Sequence, residues 1–230
     1  MKKILLATAA IGITTIGAQA QNLIQNGSFE SGNFSQNTFF PDRMSLPNNN
    51  STVLANWVTG VGSGYLWWLT TPGFNPQEGN FAIDLDSNLA TDPNSYVEQS
   101  FATTIGAQYA VSGYFSSEFN GGPATCNLLI NGSLIGAVTS GTGSPDTSSL
   151  TFNNLVWQNA TFTFTATSTT STLRLQDGAE NGYYNSVIDN ISVVAVPEPS
   201  VSAICAAGVL GIVWSSRKRS RLGKELVRLN

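Results

Sequence analysis

The most restrictive feature of this 230-residue chain is a two-residue hydrophobic period that recurs through its middle. Tyr109, Val111, Gly113 and Phe115 alternate with Ala110, Ser112 and Tyr114. Ala160, Phe162, Phe164 and Ala166 alternate with Thr161, Thr163 and Thr165, and Leu173 and Leu175 bracket Arg174. A period of two sends successive side chains to opposite faces, so these segments read as half-buried antiparallel strands. Asn131-Gly132 lies between Leu128-Leu129-Ile130 and Leu134-Ile135. It supplies both positive-φ positions of a type I′ turn and predicts a hairpin. Further strands are predicted at 23–29, 54–58, 81–85, 96–101 and 186–194. About ten short strands divided by Gly, Asn and Ser turns predict an all-β fold, a β-sandwich. The asparagine-rich stretch 33–52 reads as a mobile loop or insertion.

The two ends do not belong to that sandwich. Lys2 and Lys3 precede an apolar run over 4–16, and Ala18-Gln19-Ala20 is a small-x-small cleavage site. Residues 1–20 therefore read as a secretory signal peptide. At the other end, Pro197 and Pro199 flank Glu198, block helix and remove two backbone donors, so this tripeptide is an exposed spacer. The apolar run 201–214 follows, shorter than the ~20 residues that span a bilayer comfortably. Extended by Ser215 and Ser216, it spans if the bilayer thins. Arg217, Lys218, Arg219 and Arg221 then stop transfer and stay cytoplasmic. The expected organisation is a signal peptide (1–20), a β-sandwich (21–195) and a tail with a single hydrophobic helix (196–230).

Charge and composition narrow the function of the body. Between residues 21 and 195 only Arg43 and Arg174 are cationic, against twelve carboxylates, which leaves a net charge of −10. Such a domain does not bind nucleic acid by neutralising phosphates. The chain has no histidine, which excludes Ser-His-Asp and Cys-His catalysis and histidine-built zinc sites. A carboxylate pair is the remaining catalytic option. Asp84 and Asp86 share one strand face but fit a turn or a cation contact better, so no enzymatic activity is expected. Cys126, the one thiol of the body, reads as a small buried hydrophobe.

Sugar recognition needs flat aromatic faces beside amides and carboxylates. Tyr65, Trp67 and Trp68 follow the Gly-rich 60–64, with Asn75 and Gln77 nearby, and Tyr183 and Tyr184 stand among Glu180, Asn181 and Asn185. Adjacent residues of a strand face opposite ways, so at most one of Trp67 and Trp68 is core and the other is available. The carbohydrate-binding candidates are Trp67, Trp68, Tyr183 and Tyr184; the alternative is that they only pack. Trp57 and Trp157 are assigned to the core.

Two resemblances sharpen these expectations. Pro197-Glu198-Pro199, a short apolar segment and an arginine-rich end resemble a PEP-CTERM sorting tail. That resemblance implies export across the inner membrane of a bacterium, anchoring there, and transfer by an exosortase to the cell surface or extracellular matrix. The opening Asn22-Leu23-Ile24-Gln25-Asn26-Gly27-Ser28-Phe29-Glu30-Ser31-Gly32, the middle Trp57 and Glu78-Gly79-Asn80-Phe81-Ala82-Ile83-Asp84-Leu85, and the closing Val187-Ile188-Asp189-Asn190-Ile191-Ser192-Val193 resemble the galactose-binding-like jelly-roll sandwiches. Among these they are most similar to carbohydrate-binding modules and secreted DUF642-type domains. The resemblance implies a jelly-roll-like fold with its first and last strands close together. It also implies a structural calcium ion (Ca2+) held there by Glu30 and Asp189. Calcium takes six to eight oxygens, which carboxylates and loop carbonyls near Gly27 and Gly32 supply. Otherwise the two carboxylates cap strand ends or accept backbone hydrogen bonds. The expected function is non-catalytic binding of extracellular polysaccharide by an exported domain. The alternative is a structural matrix protein without a small ligand.

Overall fold

The computed structural model describes residues 21–62, 65–85, 95–117, 123–141, 155–178 and 185–197. The expected signal peptide, the apolar and basic parts of the tail, and Tyr183, Tyr184, Glu198 and Pro199 lie outside the described residues. The strands are β1 (Arg43–Ser45), β2 (Val58–Gly60), β3 (Trp67–Thr70), β4 (Phe81–Leu85), β5 (Tyr96–Ala102), β6 (Gln108–Ser117), β7 (Ala124–Ile130), β8 (Ser133–Ser140), β9 (Gln158–Thr165), β10 (Thr170–Asp177) and β11 (Ser186–Ala195). They form a six-stranded sheet, β1-β3-β4-β11-β6-β9, and a five-stranded sheet, β2-β5-β10-β7-β8. Every pairing is antiparallel. The all-β antiparallel sandwich read from the period-two pattern is the observed fold, and no helix forms among the described residues.

Alternation builds the core. In β10, Leu173 and Leu175 point between the sheets while Thr172, Arg174 and Gln176 point out. They meet Val97, Leu128, Phe115, Ile188 and Val193 from both sheets, with Trp57 and Phe29 tilted together at 5.3 Å. The β7–β8 hairpin turns at Asn131 (φ 51°) and Gly132 (φ 79°), as the Asn-Gly pair demands.

The six-stranded sheet is also covered on part of its outer face. Trp67, Leu69, Phe74, Ala82, Leu155 and Val187 form a second apolar cluster there. Asn75 closes it, its amide donating to the Leu155 carbonyl (3.2 Å) and accepting the Leu155 N–H (2.7 Å). Trp157 donates its indole N–H to the Asn75 carbonyl at 3.0 Å. Trp157 is thus half-buried at the edge of this outer cluster, not in the main core as expected. Trp57 is in the main core.

Three segments depart from expectation. Residues 23–29 are not a strand. Asn26 (φ 54°) and Phe29 (φ 57°) adopt left-handed backbone that breaks one. The segment instead clasps the two sheets together. The Leu23 N–H bonds the Val193 carbonyl and the Ile191 N–H bonds the Gly27 carbonyl, both at 2.8 Å on β11. The Gln25 backbone exchanges bonds with the Gln99 side chain of β5. The stretch 33–52, expected to be a mobile loop or insertion, carries β1, buries Leu46 and bridges Asn50 to Thr59. Its asparagines build local turns: Asn50 accepts from the Thr52 and Val53 N–H groups, Asn37 from those of Phe39 and Phe40. At 54–58 Leu54 makes only an isolated bridge to Gly32, the chain turns at Asn56 (φ 69°), and the strand begins at Val58.

The registers place the ends of β4, β6, β8 and β10, and the starts of β5, β7, β9 and β11, at one pole of the sandwich. Asn22, Leu23 and the exit of β11 lie at the other, where the Val196 N–H bonds the Gln108 carbonyl. The first and last described segments therefore lie side by side at this pole, which they share with the β5–β6 and β9–β10 connections.

Candidate functional site

Two carboxylates organise the segment before β4. Glu30 Oε1 accepts the Asn80 and Phe81 N–H groups, both at 2.8 Å. Asp189 Oδ2 accepts those of Gln77 (2.8 Å) and Glu78 (2.9 Å), and Asp189 Oδ1 accepts that of Asn190 (2.6 Å). Gly79 (φ 65°) sits over Glu30, where a Cβ would lie 2.4 Å from the carboxyl carbon and push the Glu30 carboxylate from its grip. Glu30 and Asp189 thus meet at one place, as the opening and closing motifs imply, and both accept backbone hydrogen bonds. Burial pushes the Asp189 carboxyl up to about 7, with the nearby Glu30 charge adding to the rise. The N–H bonds from Glu78, Asn190 and Gln77 pull the other way. A buried carboxyl beside a half-buried one of like charge could take a divalent cation, which would relieve their repulsion. Glu30 and Asp189 are the side chains that would hold it. The described residues hold no group of three or more His, Cys, Asp or Glu side chains, so backbone carbonyls or water would complete the six to eight oxygens of calcium.

The second feature is aromatic. Strand alternation sends Trp68 inward, where it is 1% exposed, packs at 5.4 Å on Phe34 and at 5.1 Å on Phe81, and donates its indole N–H to the Phe29 carbonyl at 3.1 Å. Trp68 is therefore a core residue and not a stacking platform, which corrects the expectation for it. Trp67 faces outward, yet it is only 8% exposed because other rings cover it. Tyr65 lies on it at 4.9 Å with an interplanar angle of 28°, and Phe40 meets it edge-on at 6.2 Å. The Arg43 guanidinium sits beneath, 4.8 Å from the Phe74 ring, 5.6 Å from Trp67 and 5.7 Å from Phe40. Asp42 pairs with this guanidinium at 3.3 Å.

What reaches solvent is the rim of this stack. Tyr65 is 49% exposed, Phe40 53% and Phe39 86%. Phe39, Phe40, Pro41 and Pro72 line a shallow groove of about 490 Å³ with Gln36 and Asp42 at its polar positions. Phe39 and Phe40 escaped the sequence reading. Their signal was two adjacent phenylalanines in a polar stretch with no two-residue period to bury them. Of the four sugar-binding candidates, Trp67 supports the exposed patch from below, Trp68 is core, and Tyr183 and Tyr184 fall outside the described residues. Asn75 and Gln77 are absorbed structurally: Asn75 closes the outer cluster, and the Gln77 side chain accepts from the Asn190 amide at 3.1 Å. Asp84 is buried on the same outer face, opposite Trp67 and Val187.

The family model described as "Protein of unknown function (DUF642)" matches residues 22–194. The chain belongs to the DUF642 family. This DUF642 chain is 28% identical over 211 residues to halomucin of Haloquadratum walsbyi, a match that covers 85% of the chain and 2% of halomucin. The chain thus spans a small fraction of the length of that curated relative. Among solved structures, its sandwich is similar to a carbohydrate-binding module CBM36 in complex with calcium and xylotriose, with 17% identity, 66% of this chain and 98% of that one covered, and a TM-score of 0.41. It is also similar to TmCBM61 in complex with β-1,4-galactotriose (15%, 76% and 99%, TM-score 0.42). The CBM22-1 xylan-binding domain of Paenibacillus barcinonensis Xyn10C is a third (10%, 78% and 97%, TM-score 0.42).

Proposed function

We propose that this DUF642 domain binds neutral polysaccharide, without catalysis, on the rim formed by Tyr65, Phe40 and Phe39. The observation that carries the reading is Tyr65: half exposed, yet stacked on a Trp67 that is itself held by Arg43 and Phe74. A ring fixed in this way offers its outer side to the C–H face of a sugar and loses little rotamer freedom on binding. Gln36 and Asp42 stand close enough to the groove to meet hydroxyls. Polyanionic glycans are disfavoured, because a net charge of −10 repels them unless calcium bridges the two.

The test is retention of the purified chain in gels containing neutral polysaccharides. Truncating a desolvated aromatic anchor costs at least ~2 kcal/mol, whereas a rim contact costs almost nothing. Tyr65→Ala should therefore weaken retention at least about tenfold, while the loss of its stack on Trp67 lowers the melting temperature by only a few degrees. If the parent is retained by no polysaccharide, the matrix role without a small ligand is the better account.

We also propose that the tail delivers this domain to the cell surface or extracellular matrix through an exosortase, after anchoring in the inner membrane. The exposed Pro197, which follows the last strand, suits such a handover. With the chain ends at one pole, an anchored domain would turn its opposite pole outward. Glu198→Ala should accumulate unprocessed chain in the inner membrane, and equal processing of mutant and parent would defeat this reading. A structural calcium between Glu30 and Asp189 completes the proposal. Chelation should then lower the melting temperature, because the ion binds only the folded state. A melt indifferent to chelator and to added calcium would remove the ion.

A further inference from the structure

The two sheets have four edge strands, and three of them are blunted. β1 and β2 are three residues long. The edge of β1 is capped where the Asn37 N–H bonds the Arg43 carbonyl (3.0 Å), that of β2 where the Thr59 N–H bonds the Asn50 carbonyl (2.9 Å). β8 is interrupted, because Leu128 pairs with Gly136 but Leu129 pairs with Leu134, which leaves Ile135 as an extra, bulged residue. Short strands, covered edges and bulges are how sheets avoid joining a neighbour.

Among the described residues, β9 has none of these devices. All eight of its residues pair with β6 in unbroken register, from Gln158 opposite Phe115 to Thr165 opposite Gln108. Its other edge has no strand partner among the described residues. Its sequence, Gln-Asn-Ala-Thr-Phe-Thr-Phe-Thr, has no charge, no proline and no glycine. Thr161, Thr163 and Thr165 are exposed on the outer face, while Phe162 and Phe164 turn inward. Charge singles out the same flank. β6 and β9 at this edge, and β7 and β8 at the neighbouring edge of the other sheet, contain no charged residue, although the domain carries −10 overall. Two copies repel each other almost everywhere except along this flank.

We propose that β9 pairs antiparallel with β9 of a second copy of this chain, joining two six-stranded sheets across a two-fold axis. The contact is isologous, so it closes at a dimer. Threonines meet threonines on the outer face, a favourable cross-strand pairing, and the edge backbone groups of each copy satisfy those of the other.

The test is sedimentation velocity of the full-length chain in a mild non-ionic detergent, over two decades of concentration. The parent should sediment as a monomer–dimer equilibrium. Thr161→Glu with Thr163→Glu places like charges opposite one another and should raise the dimerisation midpoint at least about tenfold. The melting temperature should not change, since both side chains face solvent. Thr139→Glu, on the outer face of bulged β8, should leave the dimer intact. A parent that is monomeric throughout, a dimer that survives the β9 substitutions because the tail holds it, or open-ended oligomers would each overturn the proposal.

Discussion

Asp189 makes the stability of this domain depend on pH in an unusual direction. Its carboxyl is fully buried, and burial raises its pKa from the ordinary 3.8 to about 7. On unfolding, the group regains its ordinary acidity. Between about pH 4 and pH 7 the native state therefore holds a proton that the unfolded state has lost, and stability falls as pH rises through this window. The stabilising contribution is complete below the unfolded pKa and is gone above the native one. At about 1.4 kcal/mol per pH decade, a rise from 3.8 to about 7 corresponds to about 4 kcal/mol. For a domain of this length, 1 kcal/mol moves the melting temperature by about 2–4 °C, so the whole effect is on the order of 10 °C. Thermal melts at pH 4 to 8 in the presence of a chelator should show this decline, while a cation seated between Glu30 and Asp189 would suppress it. Asp189→Asn supplies the control. Its single acceptor oxygen keeps the Gln77 and Glu78 N–H bonds but faces the Asn190 N–H with another donor. It should cost about 1–3 kcal/mol at every pH and lose the slope. If parent and variant change in parallel from pH 4 to pH 7, the Asp189 carboxyl is not the source and the reasoning fails.

Three further outcomes follow from the packing. Trp68→Ala should destabilise the fold by about 3–5 kcal/mol, seen as a lower denaturant midpoint, since the ring is wholly enclosed by Phe34, Phe81 and the Phe29 carbonyl. Gly27→Ala should open the N-terminal clasp, because its Cβ would lie 2.0 Å from the Ile191 carbonyl oxygen; the Ile191 amide should then lose its protection from hydrogen exchange. Cys126 should resist alkylation until the chain is denatured, since burial, aided by the Asp177 charge, holds its thiol well above the ordinary range.

The sequence by itself determined the periodicities. Which residues of β6, β9 and β10 share a face, where the β7–β8 hairpin turns, and that the body is an all-β sandwich all follow from near-neighbour sterics along one strand. The same local rule separates Trp67 from Trp68 but says nothing about which of their two faces is covered. That depended on a tyrosine two residues before Trp67, on Arg43 across a strand pair, and on Leu155, far along the chain. The three-residue β1 was invisible because so short a strand has no readable period and forms only when β3 offers it an edge. The motifs implied that the first segment lies beside β11, but its form as a clasp at 22–27 was hidden, since its hydrogen bonds reach residues more than 160 positions away in β11. Glu30 and Asp189 could be named from motifs, but their grip on the backbone before β4 exists only once the first segment and the last strand have been brought together. Tertiary structure decided these points because burial and hydrogen-bond partnership are properties of pairs distant in sequence, and a pattern along one segment encodes only its own half of each pair.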